Sequence, residues 1–522
     1  MANLYILAGI PGCGKAQPVD TIIPTPDGDK RLGDIAVGDY VFDRLGKPTK
    51  VLGVFPQGKL DNYKVTFKDG RSTYCNDEHL WSYYTSKRNL KTVPLKTFIE
   101  KGLCLESQIK KHNKHHHKFY IPTNECVEYS HKDYSVHPYI IGAFLGDGCC
   151  LQKQLTISSN DEFIVKKISS LLSIKNEYKK NSDKNYNWTF KALNPQYSNI
   201  RQEYIRTSEI FDDFSKELMC YSYEKRIPSI YLYGDREQRL ELLRGLLDTD
   251  GSISINGNRF NVSFITTSFS LMQDFAKLVR SLGFNIGNIY TDNRNKYTNG
   301  CCYEATLLID NESKEELFSL PRKCAIGKTA KNYHKRARYD RTCIVDIEKM
   351  SEKEEMVCIY VDNDEHLYLT NDFIVTHNTT WAHEHYAELD AKIVSRDYIR
   401  FEYMANDPDF LPSMDYFKYE KDVIRDFYAQ INGNLSDGVN VIADATHISW
   451  KSLRKTVENC GKNADKIILV YFNRGLDIAL PQNAKRGGVE RVPEEVIRRM
   501  WLGRYMPARA KAKGLVDEYM IV

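Results

Sequence analysis

The stretch Gly9-Ile-Pro-Gly-Cys-Gly-Lys15 follows the apolar run Leu4-Tyr-Ile-Leu-Ala8, and together they are typical of a β-strand that feeds a glycine-rich turn. Glycines in such a turn let backbone N–H groups approach a phosphate, and the lysine reaches the terminal phosphates. The pattern GxxxxGK[ST] also needs a hydroxyl, which binds Mg²⁺, directly after the lysine. Ala16 stands at that position, and the segment after it has no helical pattern. The motif therefore stops one residue short.

The missing hydroxyl occurs far downstream, in Thr376-His377-Asn378-Thr379-Thr380. Removing residues 16–378, a segment of 363 residues, places Lys15 directly before Thr379 and completes the motif, which a helical pattern then follows. A phosphate loop, or P-loop, of this kind predicts ATP and Mg²⁺ as ligands, with the Thr379 hydroxyl on the metal. The predicted nucleotide-binding residues are Gly9, Gly12, Gly14, Lys15, Thr379 and Thr380.

Residues 16–378 end in His-Asn and resemble an intein, an insert that excises itself and joins its flanks. Cys75-Asn-Asp-Glu-His79-Leu-Trp81 resembles the intein block that carries the activating histidine, with a tryptophan two residues later. Met356-Val-Cys358-Ile-Tyr-Val361 resembles the later block, with cysteine where many inteins have aspartate. Together with Thr376, these blocks match the signature of class 3 inteins, which lack a nucleophile at their first residue.

The resemblance implies that Cys358 is the first nucleophile, and the chemistry of thiolates supports this role. Cys358 attacks the Lys15 carbonyl and breaks the Lys15–Ala16 bond, which leaves the upstream segment as a thioester. His79 donates a proton to the departing Ala16 amine. Trp81 is expected to be a packing residue beside this site. Splicing needs no cofactor.

The later steps that the resemblance implies take place at the downstream junction, Asn378–Thr379. The Thr379 hydroxyl takes the acyl group from the thioester, and Asn378 then cyclises with help from His377 and His366. The resulting ester rearranges to a Lys15–Thr379 peptide bond. Because transfer between a thioester and an ester has little driving force, asparagine cyclisation is the expected commitment step.

Two alternatives for Ala16 stay open at this point. In the first, the chain is an ordinary class 1 intein whose first cysteine is replaced by Ala16, which traps the precursor. In the second, the insert no longer splices. Asn76 also departs from the family pattern, because many inteins have threonine three residues before the histidine, here His79. Taken alone, Cys358 is typical of a small buried residue.

Two alternating segments indicate that the splicing unit is an all-β Hint domain. Tyr63-Lys-Val-Thr-Phe-Lys-Asp69-Gly70-Arg-Ser-Thr-Tyr74 alternates around an Asp-Gly pair, which predicts a hairpin with a two-residue turn. Leu367-Tyr-Leu-Thr-Asn371-Asp372-Phe-Ile-Val-Thr376 repeats this pattern near the downstream junction. We therefore expect the Hint domain to comprise residues 16–130 and 341–378.

Residues 131–340, between the two Hint parts, resemble a LAGLIDADG homing endonuclease. Ile140-Ile-Gly-Ala-Phe-Leu-Gly-Asp147-Gly148 and Leu243-Arg-Gly-Leu-Leu-Asp-Thr-Asp250-Gly251 resemble its motif, and a strand and an amphipathic helix follow each copy. The resemblance implies an α+β pseudo-dimer that cleaves double-stranded DNA in the uninterrupted host gene. Asp147 and Asp250 are expected to hold Mg²⁺ between two scissile phosphates. Asp248 is a weaker candidate.

Joining residues 1–15 to 379–522 gives a chain of 159 residues with a P-loop α/β pattern. Ser395-Arg396-Asp397-Tyr-Ile-Arg400 resembles a polynucleotide-kinase motif, which implies that Asp397 accepts the proton of the attacking hydroxyl and that Arg400 binds substrate. Asp444-Ala-Thr446-His447 resembles the second substrate-side motif of that family. A lid-like helix carries arginines that would offset charge in the transition state, namely Arg486, Arg491, Arg498 and Arg499.

This resemblance implies an ATP- and Mg²⁺-dependent kinase whose acceptor is a hydroxyl, with a nucleic-acid 5′-hydroxyl as the candidate. Simpler interpretations also exist for its residues. Asp397 is typical of a helix cap, and the arginines are typical of a solvated helix face.

Length and composition agree with several units in one chain. A chain of 522 residues is too long for one core, and its 42% hydrophobic and 27% charged residues exclude a wholly disordered protein. A net charge of +4 indicates no particular partner. No apolar run predicts a membrane span, the first residues do not resemble a secretion signal, and 13 irregularly spaced cysteines predict a reduced, intracellular protein.

We expect a multidomain fold in which two of the domains are divided along the sequence. These are a split all-β Hint domain, an α+β LAGLIDADG pseudo-dimer and a split α/β P-loop kinase. The intein is expected to act as a monomer.

Overall fold

The computed structural model describes residues 2–8, 16–104, 117–149, 155–172, 175–181, 186–193, 197–198, 203–204, 215–256, 259–293, 301–310, 313–330, 340–363, 365–377, 389–405, 407, 417–472, 476, 480 and 494–521. They form three units that differ in secondary structure and in the hydrophobic core that each buries, as the multidomain prediction requires. No helix among these residues is long and apolar enough to cross a membrane.

The two ends of the chain together form one unit, which we call the parallel-sheet unit. Its elements are β1 (Asn3–Ala8), β25 (Ala391–Ser395), β26 (Asn440–Asp444), β27 (Lys466–Tyr471), β28 (Glu518–Ile521), α8 (Arg396–Ala405), α9 (Glu420–Ser436), α10 (Trp450–Cys460), α11 (Glu494–Leu502) and α12 (Pro507–Ala512). The strands run parallel in the order β25-β26-β1-β27-β28. β1 is the central strand and buries side chains on both faces, as is typical of a parallel sheet.

Residues 16–104, 117–130 and 340–377 form the all-β unit. Its elements are β2 (Gln17–Pro18), β3 (Ile22–Thr25), β4 (Gly28–Arg31), β5 (Tyr40–Phe42), β6 (Pro48–Phe67), β7 (Ser72–Cys75), β8 (Leu80–Tyr84), β9 (Leu90–Pro94), β10 (Tyr120–Pro122), β22 (Arg341–Val361), β23 (Leu367–Thr370), β24 (Ile374–His377) and α1 (Leu95–Lys101). The long strands β6 and β22 pair as an antiparallel ribbon with several register shifts. β23, β24, β8 and β9 form a second sheet in that order.

The two hairpins predicted in the all-β unit form, but each has a three-residue loop where a two-residue turn was expected. In the first, the Phe67 N–H donates to the Arg71 carbonyl at 2.9 Å, and Gly70 has a φ of 83°. A left-handed glycine at the end of a three-residue loop is a common solution for such hairpins. In the second, Thr370 pairs with Ile374 and encloses a short 3₁₀ turn at Asn371–Phe373.

The described residues between 131 and 330 form the central unit. Its elements are α2 (Pro138–Gly146), β11 (Gly148–Cys149), β12 (Leu155–Ser158), α3 (Glu162–Leu171), β13 (Asn176–Lys180), β14 (Asn187–Ala192), β15 (Tyr197–Ser198), β16 (Glu203–Tyr204), α4 (Ser215–Leu218), α5 (Arg236–Thr249), β17 (Gly251–Asn256), β18 (Arg259–Thr266), α6 (Phe269–Ser281), β19 (Asn285–Ile286), β20 (Tyr290–Asp292), β21 (Cys302–Leu308) and α7 (Pro321–Ala330).

The central unit contains the same arrangement twice. α2 and α5 each lead into a strand pair and then a helix, and the two sheets have the orders β11-β12-β14-β13 and β17-β18-β21-β19. One large cluster of buried residues joins both halves. The central unit therefore has the internal repeat that the sequence predicts.

Polar residues fix where the helices of the central unit begin. The Asp235 side chain accepts from the Gln238 N–H at 2.9 Å, and the Gln238 side chain accepts from the Asp235 N–H, which makes a capping box for α5. Ser268 caps α6 in a similar way. These caps set the ends of the two helices that contact the all-β unit.

Candidate active sites

The upstream junction begins at Ala16, which is buried and directly precedes β2. Its N–H donates to the Asn76 side-chain oxygen at 2.9 Å, and its carbonyl accepts from the Asn76 N–H at 3.1 Å. That N–H belongs to the Lys15–Ala16 peptide, the bond that the sequence predicts is broken first. The Asn76 side chain therefore contacts the Lys15–Ala16 peptide, and the Asn76 backbone contacts the next peptide, Ala16–Gln17.

Cys358 lies near this junction because of the register between β2 and β22. The two strands are antiparallel, with Gln17 opposite Val357. Extending that register by one residue places Ala16 opposite Cys358. Opposed residues of an antiparallel pair have Cα atoms about 4.5–5.5 Å apart, so Cys358 lies on the strand next to the Lys15–Ala16 peptide. Its side chain is half-buried.

His79 precedes β8 and contacts two other residues of the predicted site. Its Nε2 atom lies 2.5 Å from the hydroxyl oxygen of Thr376, which is buried on β24. The Trp81 ring is fully buried and lies 5.7 Å from the His79 ring, centroid to centroid. Trp81 also packs against Phe67 in the core of the unit. The structure therefore brings His79, Trp81 and Thr376 together.

The other two predicted histidines lie at the end of the same pair of strands. His377 ends β24, His366 directly precedes β23, and their rings meet edge to face at 6.4 Å. Tyr360 of β22 stacks on His366 at 5.6 Å. Tyr398 of α8, in the parallel-sheet unit, stacks in turn on Tyr360 at 5.0 Å. A row of four rings thus leads from the parallel-sheet unit to the downstream junction.

A buried polar network beside the upstream junction was not predicted. The Tyr368 hydroxyl donates to the Gln17 side-chain oxygen at 2.9 Å, and the Gln17 amide donates to the Thr73 hydroxyl at 3.2 Å. Burial, followed by the nearby thiols of Cys358 and Cys75, holds the pKa of Tyr368 well above its ordinary value. These hydrogen bonds hold Gln17, the residue after Ala16, in place. Local sequence patterns do not predict this network, because Gln17 and Tyr368 are 351 positions apart.

The motif helices α2 and α5 of the central unit cross at two glycines. A Cβ added at Gly142 would lie 2.2 Å from the Leu242 carbonyl oxygen, and one at Gly245 would lie 2.3 Å from the Tyr139 carbonyl oxygen. Any larger residue would force the backbones apart. This crossing brings the C-terminal ends of the two helices side by side.

Asp147 and Asp250 occupy these two helix ends. Burial raises the pKa of Asp147, and burial together with the neighbouring Asp147 carboxylate raises the pKa of Asp250 to about 7. Two carboxylates whose negative charge is disfavoured suit a hard divalent cation, which prefers oxygen ligands. In the part of the chain that the structure describes, no cluster of three or more His, Cys, Asp or Glu side chains suits a metal ion.

Two lysines that the sequence analysis did not identify flank the aspartate pair. Lys225 donates to carbonyl oxygens at the end of α2, including that of Phe144 at 2.8 Å. Lys323 donates to those at the end of α5, including that of Leu247 at 2.6 Å, and burial lowers its pKa to about 8. Lys225 follows Asp147 by 78 residues and Lys323 follows Asp250 by 73, so an alignment of the two repeats could have revealed them.

Asp248 has a structural role. Its buried carboxylate accepts from the Tyr139 hydroxyl at 2.9 Å and from the backbone N–H groups of Ser319 and Leu320 at 3.1 Å each. These contacts tie the end of α5 to the start of α2 and to the segment before α7.

In the parallel-sheet unit, the segment that contains Asp444, Thr446 and His447 follows β26. Asp444 ends the strand, Thr446 is exposed, and His447 is buried. His447 Nδ1 lies 2.8 Å from the Leu7 carbonyl oxygen, and burial lowers its pKa to about 4, which keeps the ring neutral. His447 therefore ties this segment to β1. Arg400 of α8 is buried and donates to Glu420 at 2.7 Å.

Several predicted residues lie outside the described part of the chain. They are Gly9, Gly12, Gly14, Lys15, Asn378, Thr379, Thr380, Arg486 and Arg491. The backbone of Asp397 is described within α8, but its side chain is not. Arg498 is exposed and pairs with Glu494 one helical turn away at 2.6 Å, as expected for a solvated helix face, and Arg499 is exposed beside it.

Two family models match the chain, each in a different unit. Residues 379–505 match the AAA domain, and residues 237–319 match the LAGLIDADG-like domain. The replicative DNA helicase DnaB of Mycobacterium intracellulare is 30% identical over 394 residues, which is 72% of this chain. The chain spans 60% of the length of that relative.

Solved structures resemble separate parts of the chain. A variant of the gp41-1 intein whose first cysteine is alanine is 33% identical, and the match covers 16% of this chain and 76% of that chain with a TM-score of 0.13. A variant of I-DmoI in complex with its target DNA and manganese is 11% identical, and the match covers 33% of this chain and 86% of that chain with a TM-score of 0.21.

Proposed function

We propose that this chain, which carries a LAGLIDADG-like domain and an AAA domain of the P-loop type, contains an intein that excises residues 16–378 and joins Lys15 to Thr379 by the class 3 route. The observation that supports the proposal is the register of β2 on β22, in which Gln17, the residue after Ala16, pairs with Val357, the residue before Cys358. In the proposed division, the Hint domain comprises residues 16–130 and 341–378, the endonuclease 131–340, and the host 1–15 and 379–522.

The first step breaks the Lys15–Ala16 bond. The Cys358 thiolate adds to the Lys15 carbonyl carbon, the C–N bond breaks, and a thioester forms on Cys358. The departing Ala16 nitrogen takes up one proton to become an amine. His79 supplies that proton, and its contact with the Thr376 hydroxyl orients its ring. Asn76, which accepts from the Ala16 N–H, holds the peptide while the bond breaks.

The second stage joins the flanks. The Thr379 hydroxyl attacks the thioester and releases the Cys358 thiol, which leaves an ester between the Lys15 carbonyl and Thr379. The Asn378 side-chain nitrogen then attacks its own carbonyl carbon, so that a succinimide forms and the Thr379 amine leaves. That amine attacks the adjacent ester and forms the Lys15–Thr379 peptide. His377 and His366, whose rings meet at 6.4 Å, serve the proton transfers of cyclisation.

The mass of the products tests this proposal. Fresh expression of the chain should give a 159-residue joined protein and a 363-residue insert, and Cys358→Ala should abolish both. An intact chain of 60.4 kDa in both cases would favour the class 1 alternative. Under that alternative Ala16→Cys would restore splicing, whereas a chain that stays intact even then would favour a dead insert.

The central unit supports a second activity, cleavage of double-stranded DNA. Asp147 and Asp250 would hold the divalent metal, which activates water and stabilises the leaving oxygen. Lys225 and Lys323 neutralise the helix ends on which the two aspartates sit. The candidate target is the uninterrupted host gene around the Lys15–Thr379 codons. Asp147→Asn or Asp250→Asn should remove cleavage of that DNA and leave splicing intact, while cleavage that survives both changes would exclude this metal site.

The host is proposed to be an ATP- and Mg²⁺-dependent kinase that phosphorylates a nucleic-acid 5′-hydroxyl. The P-loop glycines with Lys15, Thr379 and Thr380 would bind nucleotide, and Asp397 would accept the acceptor proton. The proposed substrate-binding residues are Arg400, Asp444, Thr446, Arg486 and Arg491. Asp397→Asn should abolish phosphorylation in the joined protein, and an unchanged rate would exclude its role as the base.

A further inference from the structure

The turn that leads into the downstream junction has an unfavourable backbone conformation. It connects β23 to β24, and Asp372 and Phe373 within it have φ values of 55° and 56°. L-residues rarely adopt a positive φ, and for a bulky residue such as Phe373 it is a true outlier. A turn of this kind persists only where its surroundings hold it in place. β24, which it starts, carries Thr376 and His377.

β24 belongs to the β23–β24 hairpin, which pairs at four positions, and its first residue also bridges to the segment after β10. Among the described residues, β24 pairs with β8 at one position, His377 opposite Leu80. His79, the residue before β8, contacts the Thr376 hydroxyl of β24. Because β8 holds this hairpin at one position, the conformation of its turn helps to set how β24 passes His79.

One side of the turn is held from within the all-β unit. The Arg71 guanidinium donates to the carbonyl oxygens of Asp372 and Phe373 at 3.1 and 3.3 Å, and it pairs with Asp69 at 2.8 Å. The Thr73 hydroxyl donates to the Asn371 side chain at 2.6 Å. These contacts fix the carbonyls of the turn and its first side chain.

The other side is held by the central unit. Arg280, in the last turn of α6, donates to the Asp372 carboxylate at 2.7 Å. The end of α6 is itself fixed to the all-β unit, because the Asn124 amide donates to the Arg280 carbonyl at 2.8 Å and the Val127 N–H donates to the Ser281 carbonyl at 3.0 Å. Arg280 is buried and the Asp372 side chain is 46% exposed, so the pair is shielded from water on the arginine side.

We infer that Arg280, a residue of the endonuclease unit, is a positioning residue for protein splicing. By holding Asp372 in its left-handed conformation, it sets the direction of β24 and keeps Thr376 against His79. This inference rests on the proposed splicing activity. It implies that the endonuclease supports the splicing reaction that removes it, in addition to its own activity on DNA.

Lys277 provides a matched control on the same helix and the same interface. It lies one turn before Arg280 and donates to Asp29 of the β3–β4 hairpin at 2.6 Å. The Lys277–Asp29 pair therefore joins the same two units through the hairpin, and the Arg280–Asp372 pair joins them through the turn. Loss of either pair weakens the interface, but loss of Arg280 also frees the turn.

The test follows the joined 159-residue product over time in the full chain as it is made by cell-free translation. We expect Arg280→Ala to slow its appearance by up to roughly tenfold, the usual effect of losing a half-buried hydrogen bond to a charged group. Lys277→Ala should splice at the wild-type rate. Both variants should still cleave DNA, which shows that the central unit is folded. Equal rates for Arg280→Ala and the wild type, or an equal loss in Lys277→Ala, would overturn the inference.

A second substitution shows whether Arg280 acts through the conformation of the turn or only by attaching the central unit to the all-β unit. Asp372→Gly, added to Arg280→Ala, should restore most of the rate, because glycine adopts a positive φ without strain. A slow Arg280→Ala chain that this change does not rescue would contradict a role through the turn.

Amide hydrogen exchange tests the inference without relying on splicing. In a Cys358→Ala background, exchange at residues 374–377 should rise with Arg280→Ala and fall back when Asp372→Gly is added. Unchanged exchange in Arg280→Ala would overturn the inference even if no variant splices. A wild-type chain that fails to splice, with the expected exchange pattern, would count against the proposed function alone.

Discussion

At the scale of single residues, the proposed roles at the upstream junction fall to Asn76 and Cys358. The Asn76 side chain accepts from the Ala16 N–H at 2.9 Å, and Cys358 follows Val357, the residue of β22 that pairs with Gln17. The proposed nucleophile thus lies in β22, and the residue proposed to hold the leaving group lies directly after β7. An alanine at position 16 takes no chemical part in this arrangement and needs only a small side chain.

The contact of Asn76 leads to a prediction about the first step. Asn76→Ala should slow thioester formation by about tenfold, because the Ala16 N–H loses a buried acceptor. Added thiol cleaves the thioester, so the rate can be measured by mass spectrometry as release of residues 1–15. Asn76→Thr, which keeps an oxygen acceptor, is the control and should stay close to the wild-type rate. Unchanged release from Asn76→Ala would mean that the contact is unimportant.

The raised pKa of Asp250 predicts how the stability of the metal-free protein depends on pH. Its folded-state pKa of about 7 exceeds the ordinary 3.8, so between these values the folded chain binds more protons than the unfolded chain. Stability therefore falls as pH rises through this window. In the Cys358→Ala chain without divalent metal, the unfolding temperature should be lower at pH 8 than at pH 5. Adding Mg²⁺ at pH 8 should raise it.

Asp250→Asn should reduce this difference between pH 5 and pH 8, because it removes the titrating group. Asp310→Asn, at an exposed aspartate of the same unit, is the control and should keep the wild-type pH dependence. A difference that persists in Asp250→Asn would assign the pH dependence to other groups.

Sequence analysis identified candidate site residues where those residues belong to short local motifs. Asp147 and Asp250 belong to such motifs, so their chemistry can be recognised without a structure. Lys225 and Lys323 act on helices that end more than 70 residues before them, and nothing in their local sequence indicates those contacts. The same limit applies to the pair of Gln17 and Tyr368.

At the scale of elements, the close crossing of α2 and α5 is the contact on which the aspartate pair depends. The strand and amphipathic helix that follow each motif were predicted from the repeat, whereas the close crossing of the motif helices at Gly142 and Gly245 is seen only in the structure. The loops of the two hairpins were predicted one residue too short. Asn371–Phe373 contains no glycine, so local sequence could not indicate the two positive φ values that tertiary contacts impose there.

The crossing predicts a large effect of a single methyl group. Gly142→Ala would place a Cβ 2.2 Å from the Leu242 carbonyl oxygen, so the helices must separate. We expect a loss of stability of about 1–3 kcal/mol or more in the central unit, together with loss of DNA cleavage. Gly433→Ala in α9 is the matched control, because nothing lies within 4 Å of its Cβ position. There alanine should stabilise by up to about 1 kcal/mol.

Thermal unfolding and DNA cleavage measure both variants. Retention of cleavage in Gly142→Ala would show that the helices can move apart without disturbing the aspartates, contrary to the role given to the crossing.

At the scale of the whole molecule, the three units are connected through the splicing centre. Arg280 reaches it from the central unit, and Tyr398 reaches it from the parallel-sheet unit through Tyr360 and His366. Tyr398 and Asp397 both lie in α8, so before splicing the all-β unit contacts the helix that carries the proposed acceptor base. The Cys358→Ala chain should therefore show no ATP-dependent phosphorylation of a nucleic-acid 5′-hydroxyl, whereas the joined protein should. Equal activity in the two would contradict this arrangement.

The central place of β1 has a further consequence for errors in splicing. Its six residues lie between β26 and β27 and are hydrogen-bonded on both sides before any bond is broken. The host is thus already assembled as two complementary fragments. If water hydrolyses the proposed thioester before the flanks are joined, β1 should stay paired with its two neighbouring strands. Once Asn378 also cyclises and the insert leaves, such a failed reaction should give a nicked host, in which residues 1–15 and 379–522 remain together through the sheet.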